Sequence, residues 1–245
     1  MDVSPELYDI NFCFPVPPTL ESERVHLTPF IPSKHAESFM HQALLYPEIF
    51  TYLPFGPFND AEDFVANLFE TRIHPDPGYI LFVIYDKTKP AASSSSDPGA
   101  LAGLLGLINS SAVNLSTEIG CIMIFPPFQR THLASNAIGI LLQYALNLPA
   151  RQPGALGLRR VFWQANVLNK PSVRLAERMG FKLEGILRWD RVLPKGKDAG
   201  NGKELREGDP RMECVGRDTA MLGHCWDDWE SGGRENVEAT MRRIK

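Results

Sequence analysis

Cysteine is scarce in this chain: four residues in 245, Cys13, Cys121, Cys214 and Cys225. No two of them form a CxxC pair and their spacing matches no zinc motif, so the usual structural zinc frameworks are excluded. Cys121 and Cys225 sit inside apolar runs, which predicts buried, reduced thiols and a reducing compartment. The six histidines are scattered, with no HExxH and no His/Cys cluster, and no metal is expected. No stretch reaches the roughly 18 apolar residues of a membrane span. The opening MDVSPELYDINFCFPVPP has neither a basic segment nor a long apolar one, so a signal peptide is not expected. An excess of one charge is also missing. The 25 basic and 29 acidic residues leave a formal charge of −4, and Arg159-Arg160 and Arg242-Arg243 are too short to make a basic face, which argues against nucleic acid as a partner. The expected location is the cytoplasm, with the nucleus left open, and no membrane partner is expected.

What is present is an ordinary globular balance, 44% hydrophobic and 22% charged. The length suits one large domain or two small ones. Residues 1–21, rich in proline and aromatics, read as a surface arm. Arg24–Phe30 alternates as a short strand, and Pro32-Ser33 opens a helix through about Leu45. A second helix starts at Asn59, with Asn59 and Glu62 at capping-box spacing. Between them, Tyr46–Phe58 either lines a substrate cleft or packs as a connecting loop. Tyr79–Tyr85, Leu101–Asn109 and Thr117–Phe125 read as three strands of an antiparallel meander, the first two joined by a polar low-complexity loop. Then the pattern changes: helix Leu133–Leu146, strand Arg160–Val167, helix Pro171–Met179, and a closing strand pair, Phe181–Leu193 and Glu213–Trp226, around a second polar insertion. Pro171 and Gly180 suit the first helical position and the position past the end. Residues 229–245 read as a charged tail with a loose helix.

One stretch is specific. A strand at 117–125 runs into a turn and then a helix N-terminus, whose free N–H groups and dipole favour an anion such as a pyrophosphate. Strand 160–167 is followed by Asn169-Lys170-Pro171-Ser172, polar groups placed just beyond a strand end. The two units together suggest a cleft between strands in which a long, thin ligand lies against main chain.

Glu118-Ile119-Gly120, the turn Gln129–Ala134, and Asn169-x-x-Ser172 followed by Glu177-Arg178-x-Gly180-Phe181-x-x-Glu184-Gly185 resemble the GNAT superfamily of N-acetyltransferases, and within it the Rim-type ribosomal-protein N-acetyltransferases. Arg217-Asp218-Thr219 resembles the family's penultimate strand. The likeness covers about 22–228 and is specific over 118–185. It implies an α/β (α+β) fold, a mixed and mostly antiparallel sheet flanked by helices with a V-shaped cleft between two central strands. It implies acetyl-CoA as co-substrate, its pantetheine arm along Ile122, Met123, Ile124 and Phe125. The pyrophosphate would sit on the amides of Gln129, Arg130, Thr131, His132, Leu133, Ala134 and Ser135, with Asn169 and Ser172 near the thioester. The acceptor would be a primary amine of a small molecule or a protein, and a homodimer of the family's kind is an open expectation.

The turn departs from the family pattern, because His132 stands where a glycine is usual. Three readings are open: the imidazole points away while the amide binds phosphate, the imidazole contacts phosphate, or the site is degraded. The last motivates an alternative, a non-catalytic acyl-CoA-binding or regulatory protein on the same fold. Acetyl transfer needs a neutral amine, hence a general base, and the leaving thiolate benefits from a donor. Glu118 is the candidate base; otherwise it is a strand-end carboxylate holding a neighbour. Ser172 is the candidate donor; otherwise it satisfies helix-start N–H groups. Asn169 contacts the cofactor or simply caps its helix. Trp163 and Trp189 read as packing residues and Glu184 as strand surface.

Overall fold

The computed structural model describes residues 8–92 and 96–243. Residues 1–7 of the expected arm, residues 93–95 of the first insertion and the last two residues of the tail lie outside the described residues. Eight strands form one open sheet: β1 (Leu20–Glu21), β2 (Val25–Pro29), β3 (Ile80–Asp86), β4 (Ala100–Ser111), β5 (Ser116–Ile124), β6 (Arg160–Asn166), β7 (Lys182–Val192) and β8 (Gly216–Cys225). Their spatial order is β1-β2-β3-β4-β5-β6-β8-β7. Only β5 and β6 run parallel; every other pairing is antiparallel. This is the expected mixed, mostly antiparallel sheet flanked by helices, and β3 to β5 form the expected meander.

The sequence explains how the sheet is covered. The unbroken apolar run of β3 is buried along its whole length, as a strand covered on both faces must be. One face packs α3 (His132–Leu146), with Leu133, Ala137, Leu141 and Leu142 against Leu27, Phe82 and Ile84. The other face packs α1 (Pro32–Ala43) and α2 (Ala61–Phe64, continued by a π-helical stretch Val65–Ile73), with Phe39, Phe64 and Leu68 against Leu81, Val83 and Met123. The short helix α4 (Lys170–Arg178) follows β6, and Gly180 takes φ +91° just past its end, a conformation open to glycine.

Three expectations are corrected. The cap of α2 lies one residue later than expected. Asp60 accepts from the Asp63 N–H at 2.8 Å, and Asp63 in turn accepts from the Asn59 N–H, so an aspartate replaces Glu62 as the reciprocal partner. The strand expected from Glu213 begins at Gly216, because residues 209–214 are held in turns by the Asp209 carboxylate and the Arg211 carbonyl. The closing helix is packed rather than loose. The chain from α5 (Trp226–Asp228) through a kinked turn to α6 (Arg234–Arg242) buries Trp229 and Val237 completely. Trp229 Nε1 and Arg234 Nε both donate to Asn147 Oδ1 at the end of α3. Gly139 in α3 lets Met241 lie against the helix; a Cβ there would fall 2.3 Å from the Met241 sulfur.

The feature that shapes the site is the meeting of β5 and β6. They pair over three positions, Ser116 with Arg160, Thr117 with Val161 and Glu118 with Phe162. Beyond Glu118 they part. On its other side β5 stays paired with β4, but Gly120 faces Gly106 and Met123 faces Leu104, so Cys121 and Ile122 together oppose Leu105. Cys121 has φ +50°. That bulge bends β5 away from its parallel neighbour and opens a V.

Candidate active site

The edge of β5 beyond Glu118 has, among the described residues, no strand beside it on the β6 side. Its far end is pinned: Gln129 Nε2 donates to the Ile124 carbonyl at 2.8 Å, and the Phe125 N–H donates to Ala102. The chain then turns through Pro126–Phe128 into α3. Thr131 caps this helix, its hydroxyl donating to the Phe128 carbonyl at 2.7 Å and accepting from the Leu133 N–H at 3.2 Å. The first turn carries no acidic residue, so none of its own side chains offsets the positive end of the dipole. The chemistry of this turn fits a diphosphate.

His132 is the first residue of α3 and does not need the backbone freedom of the glycine it replaces. The left-handed residue of the turn is Arg130, at φ +59°. The imidazole is directed into the protein, where Nε2 lies 3.2 Å from Oδ1 of Asp86, a residue 1% exposed at the end of β3. The same Asp86 oxygen accepts from the N–H and hydroxyl of Thr88. Of the three readings open for His132, this geometry matches an imidazole turned away from the helix mouth.

Glu118 sits at the apex of the V, the last residue of β5 paired with β6, and is 3% exposed. Burial lifts its carboxyl to about 7, against the opposing pull of the Asn109 hydrogen bond and of Arg191, Arg217 and Arg72. Tyr79 donates its hydroxyl to Asn109 Oδ1 at 2.6 Å, and Asn109 Nδ2 donates to Glu118 Oε2 at 2.7 Å. One carboxylate oxygen is thus oriented by a relay, and the residue lines the cleft. Asn109 takes φ +48°, a backbone conformation asparagine tolerates better than most residues.

Around Glu118 the cleft is lined by Leu53, Pro54, Phe55, Gln164 and the three arginines named above. The aromatic-proline segment, for which a cleft lining and a packed loop were alternatives, combines features of each. Leu53–Phe55 line the cleft, while Phe50, Phe55 and Phe58 pack in the core. The second polar insertion closes on that segment. The buried Lys197 ammonium donates to the carbonyls of Phe50 and Phe55, the latter at 3.1 Å, and Asn166 Nδ2 donates to Ala199 at 2.7 Å.

Across the V, Asn169 caps α4 by accepting from the Ser172 N–H at 3.2 Å, leaving its side-chain N–H groups available. Ser172 Oγ accepts from Trp163 Nε1 at 3.1 Å, so its own proton points elsewhere. Trp163 is buried against Phe181, as expected of a packing residue. Trp189 lies against Gly216, where a Cβ would meet its ring at 2.2 Å, and Glu184 pairs with Arg160 at 2.5 Å. No motif or spacing marks Arg72, Asn109, Tyr79 or Arg191 as site residues. They arrive from α2's π-helical extension, β3's start, β4 and β7, and only the sheet brings them together. Arg217 stood in a segment that resembles the family but carried no role.

An open sheet with a parallel V at its centre, a helix N-terminus at one mouth and a buried carboxyl at the apex frames a single cleft. A family model described as the acetyltransferase (GNAT) domain matches residues 24–182. The chain belongs to the GNAT acetyltransferase family. Among solved structures it is similar to a GCN5-related N-acetyltransferase from Brucella melitensis, at 24% identity and TM-score 0.70 over 93% of this chain and 86% of that one. It is also similar to RimJ of Mycobacterium smegmatis in complex with CoA-disulfide, at 16% identity and TM-score 0.62 over 89% and 90%. A third is spermidine N-acetyltransferase from Vibrio cholerae in complex with CoA and spermine, at 20% identity and TM-score 0.59 over 85% and 99%. At these identities the structures establish the fold, and the Rim-type likeness is distant. No curated protein matches the chain by sequence. Among the described residues, no helix is long and apolar enough to cross a membrane.

Proposed function

We propose that this chain transfers the acetyl group of acetyl-CoA to a primary amine, with Glu118 as the general base. The observation that carries the reading is a buried carboxyl, lifted to about 7, at the point where β5 and β6 part. A base of that strength is poised at neutral pH, and strength near the working pH is what general-base catalysis needs. Acetyl-CoA supplies the activated acetyl thioester. Main chain at Ile122 and Met123 would hold its pantetheine arm, since Ile124 and Phe125 already spend a carbonyl and an N–H inside the protein. The amides of His132, Ala134 and Ser135 at the start of α3 would hold the diphosphate, since the Leu133 N–H already donates to Thr131. The imidazole's turn toward Asp86 supports this reading over a degraded, non-catalytic site.

The chain's own residues then do three things. Asn109 fixes Oε2 of Glu118, which leaves Oε1 to take a proton from the acceptor ammonium. The Ser172 hydroxyl, with its oxygen held by Trp163, donates toward the departing sulfur. Asn169 orients the N-terminus of α4 beside it. The test is CoA-thiol release with a broad amine panel for wild type, Glu118→Gln and Asn169→Ala, alongside calorimetric acetyl-CoA binding. Wild type should bind and turn over. Glu118→Gln should bind acetyl-CoA as wild type does but lose about 10²-fold or more in turnover. Asn169→Ala should weaken acetyl-CoA binding. A wild type that binds no acetyl-CoA would overturn the proposal, as would a Glu118→Gln variant of undiminished rate.

A further inference from the structure

We propose that the acceptor is an amine that also carries an anionic group, and that Arg72, Arg191 and Arg217 receive that group beside Glu118. The inference rests on the acetyl-transfer reading and names the substrate class of the same site. It starts from charge. The cleft lining contains three guanidiniums and one carboxylate, Glu118. The other carboxylate at hand, Asp190, is engaged with Arg191 Nε at 3.2 Å and with the Thr219 hydroxyl at 2.7 Å. With both carboxylates ionised the group is still positive, and it becomes more so each time Glu118 takes a proton.

Arg191 also donates to Gln164 Oε1 at 3.1 Å, but the other two arginines are not used up by the protein. Among the described residues, neither Arg72 nor Arg217 has a carboxylate within 4.0 Å. Arg217 is 5% exposed and donates only to Thr219 Oγ1 at 3.0 Å and, weakly, to the Tyr52 carbonyl at 3.4 Å. A guanidinium has five N–H donors, so a buried one in this state has donors to spare. Arg72 lies beside the rings of Phe55 and Tyr79, at 5.9 and 6.0 Å, and its one side-chain partner is the neutral Tyr79 hydroxyl, with no counter-ion among the described residues. Strand register adds an independent observation. Arg191 on β7 and Arg217 on β8 are direct cross-strand partners, and like charges placed opposite each other destabilise a sheet. The fold carries that cost at the floor of the cleft, where an anion would relieve it. Planar guanidinium forks match carboxylate and phosphate alike.

The geometry also selects against acceptors. A polyamine would bring further positive charge to three guanidiniums, and a plain alkylamine would leave them unpaired. Because Glu118 and the arginines line one small cleft, the anionic group must lie within a few bonds of the amine.

Matched pairs test this: leucine against leucinamide for a carboxylate, phosphoethanolamine against ethanolamine for a phosphate, with spermidine as the polycation. CoA-thiol release is followed for wild type, Arg72→Gln and Arg72→Lys, with melting curves to establish that each variant is folded. The anionic member of at least one pair should lead in kcat/KM by about tenfold or more, and spermidine should trail. Arg72→Gln should shrink that ratio through KM, and Arg72→Lys should restore part of it. Neutral members that equal or outrun their anionic partners would overturn the proposal while leaving acetyl transfer standing. If no amine is turned over, the acetyl-transfer reading fails, and calorimetric titration of the CoA-loaded protein with leucine and phosphoethanolamine decides the anion site separately. Binding that Arg72→Gln weakens sustains the site; no binding of either to wild type removes it.

Discussion

Two residues show how position rather than type decides chemistry. Glu118 is an ordinary glutamate whose strand loses its neighbour just beyond it, and burial there changes its acid strength. As the proposed base it would act in the ionised form, so kcat/KM should rise with pH through about 7 and level off above it. Stability should respond in the opposite sense. The native carboxyl holds its proton more tightly than the unfolded chain does, so raising the pH from about 4.5 to about 7 costs stability. Replacing Glu118 by Gln should flatten that part of the stability profile, as denaturant titrations at several pH values would show. His132 behaves differently from what its place in the motif suggests. Its imidazole packs beside Asp86 rather than at the helix mouth, so His132→Gly should cost about 1 kcal/mol of stability through the glycine it puts in the first turn of α3, while CoA affinity measured by calorimetry changes by no more than about threefold. A His132→Gly variant that loses CoA binding would put the imidazole on the phosphate instead. Neither environment is legible in the sequence, because each depends on a residue from a different strand: Asn109 for Glu118, Asp86 for His132.

Elements were legible where their signals are local. The apolar run of β3, the alternation of β2 and β6, the helical spacing of α3 and the proline and glycine that bracket α4 each placed an element close to where it lies. The misplaced ones depended on partners. Residues 229–245 are charged, and charge alone reads as a loose tail. The apolar residues that decide the matter, Trp229, Val237 and Met241, are too widely spaced to signal a helix until α3 is there to receive them. This makes a sharp prediction. Trp229 is fully buried and hydrogen-bonded to Asn147, so Trp229→Ala should cost about 3–5 kcal/mol, read as a lowered denaturation midpoint. A surface tail would tolerate the change with almost no effect.

At the scale of the whole molecule, element order carried the fold, and strand order in space carried the site. The sequence places Arg72, Asn109, Gln164, Arg191 and Arg217 far apart, and only their convergence on one cleft gives them a shared meaning. The second insertion illustrates the same point. Its lysines and glycines read as a solvated loop, yet Lys197 reaches inward and fastens it to the segment that walls the cleft. Lys197→Met should loosen that wall, raising the acceptor KM by about tenfold while acetyl-CoA affinity stays near the wild-type value. Equal losses for both substrates in steady-state kinetics would mean that the clamp supports the whole fold instead.

The three-position contact between β5 and β6 has a further consequence. The sheet is one surface by topology but two panels by hydrogen bonding, hinged along a short seam and steadied by α3. A ligand laid against the open edge of β5 would act as a missing strand and stitch the panels together. Amide hydrogens along residues 119–124 should then exchange with solvent more slowly once CoA is bound, and the protein should stiffen at its centre as its substrate arrives.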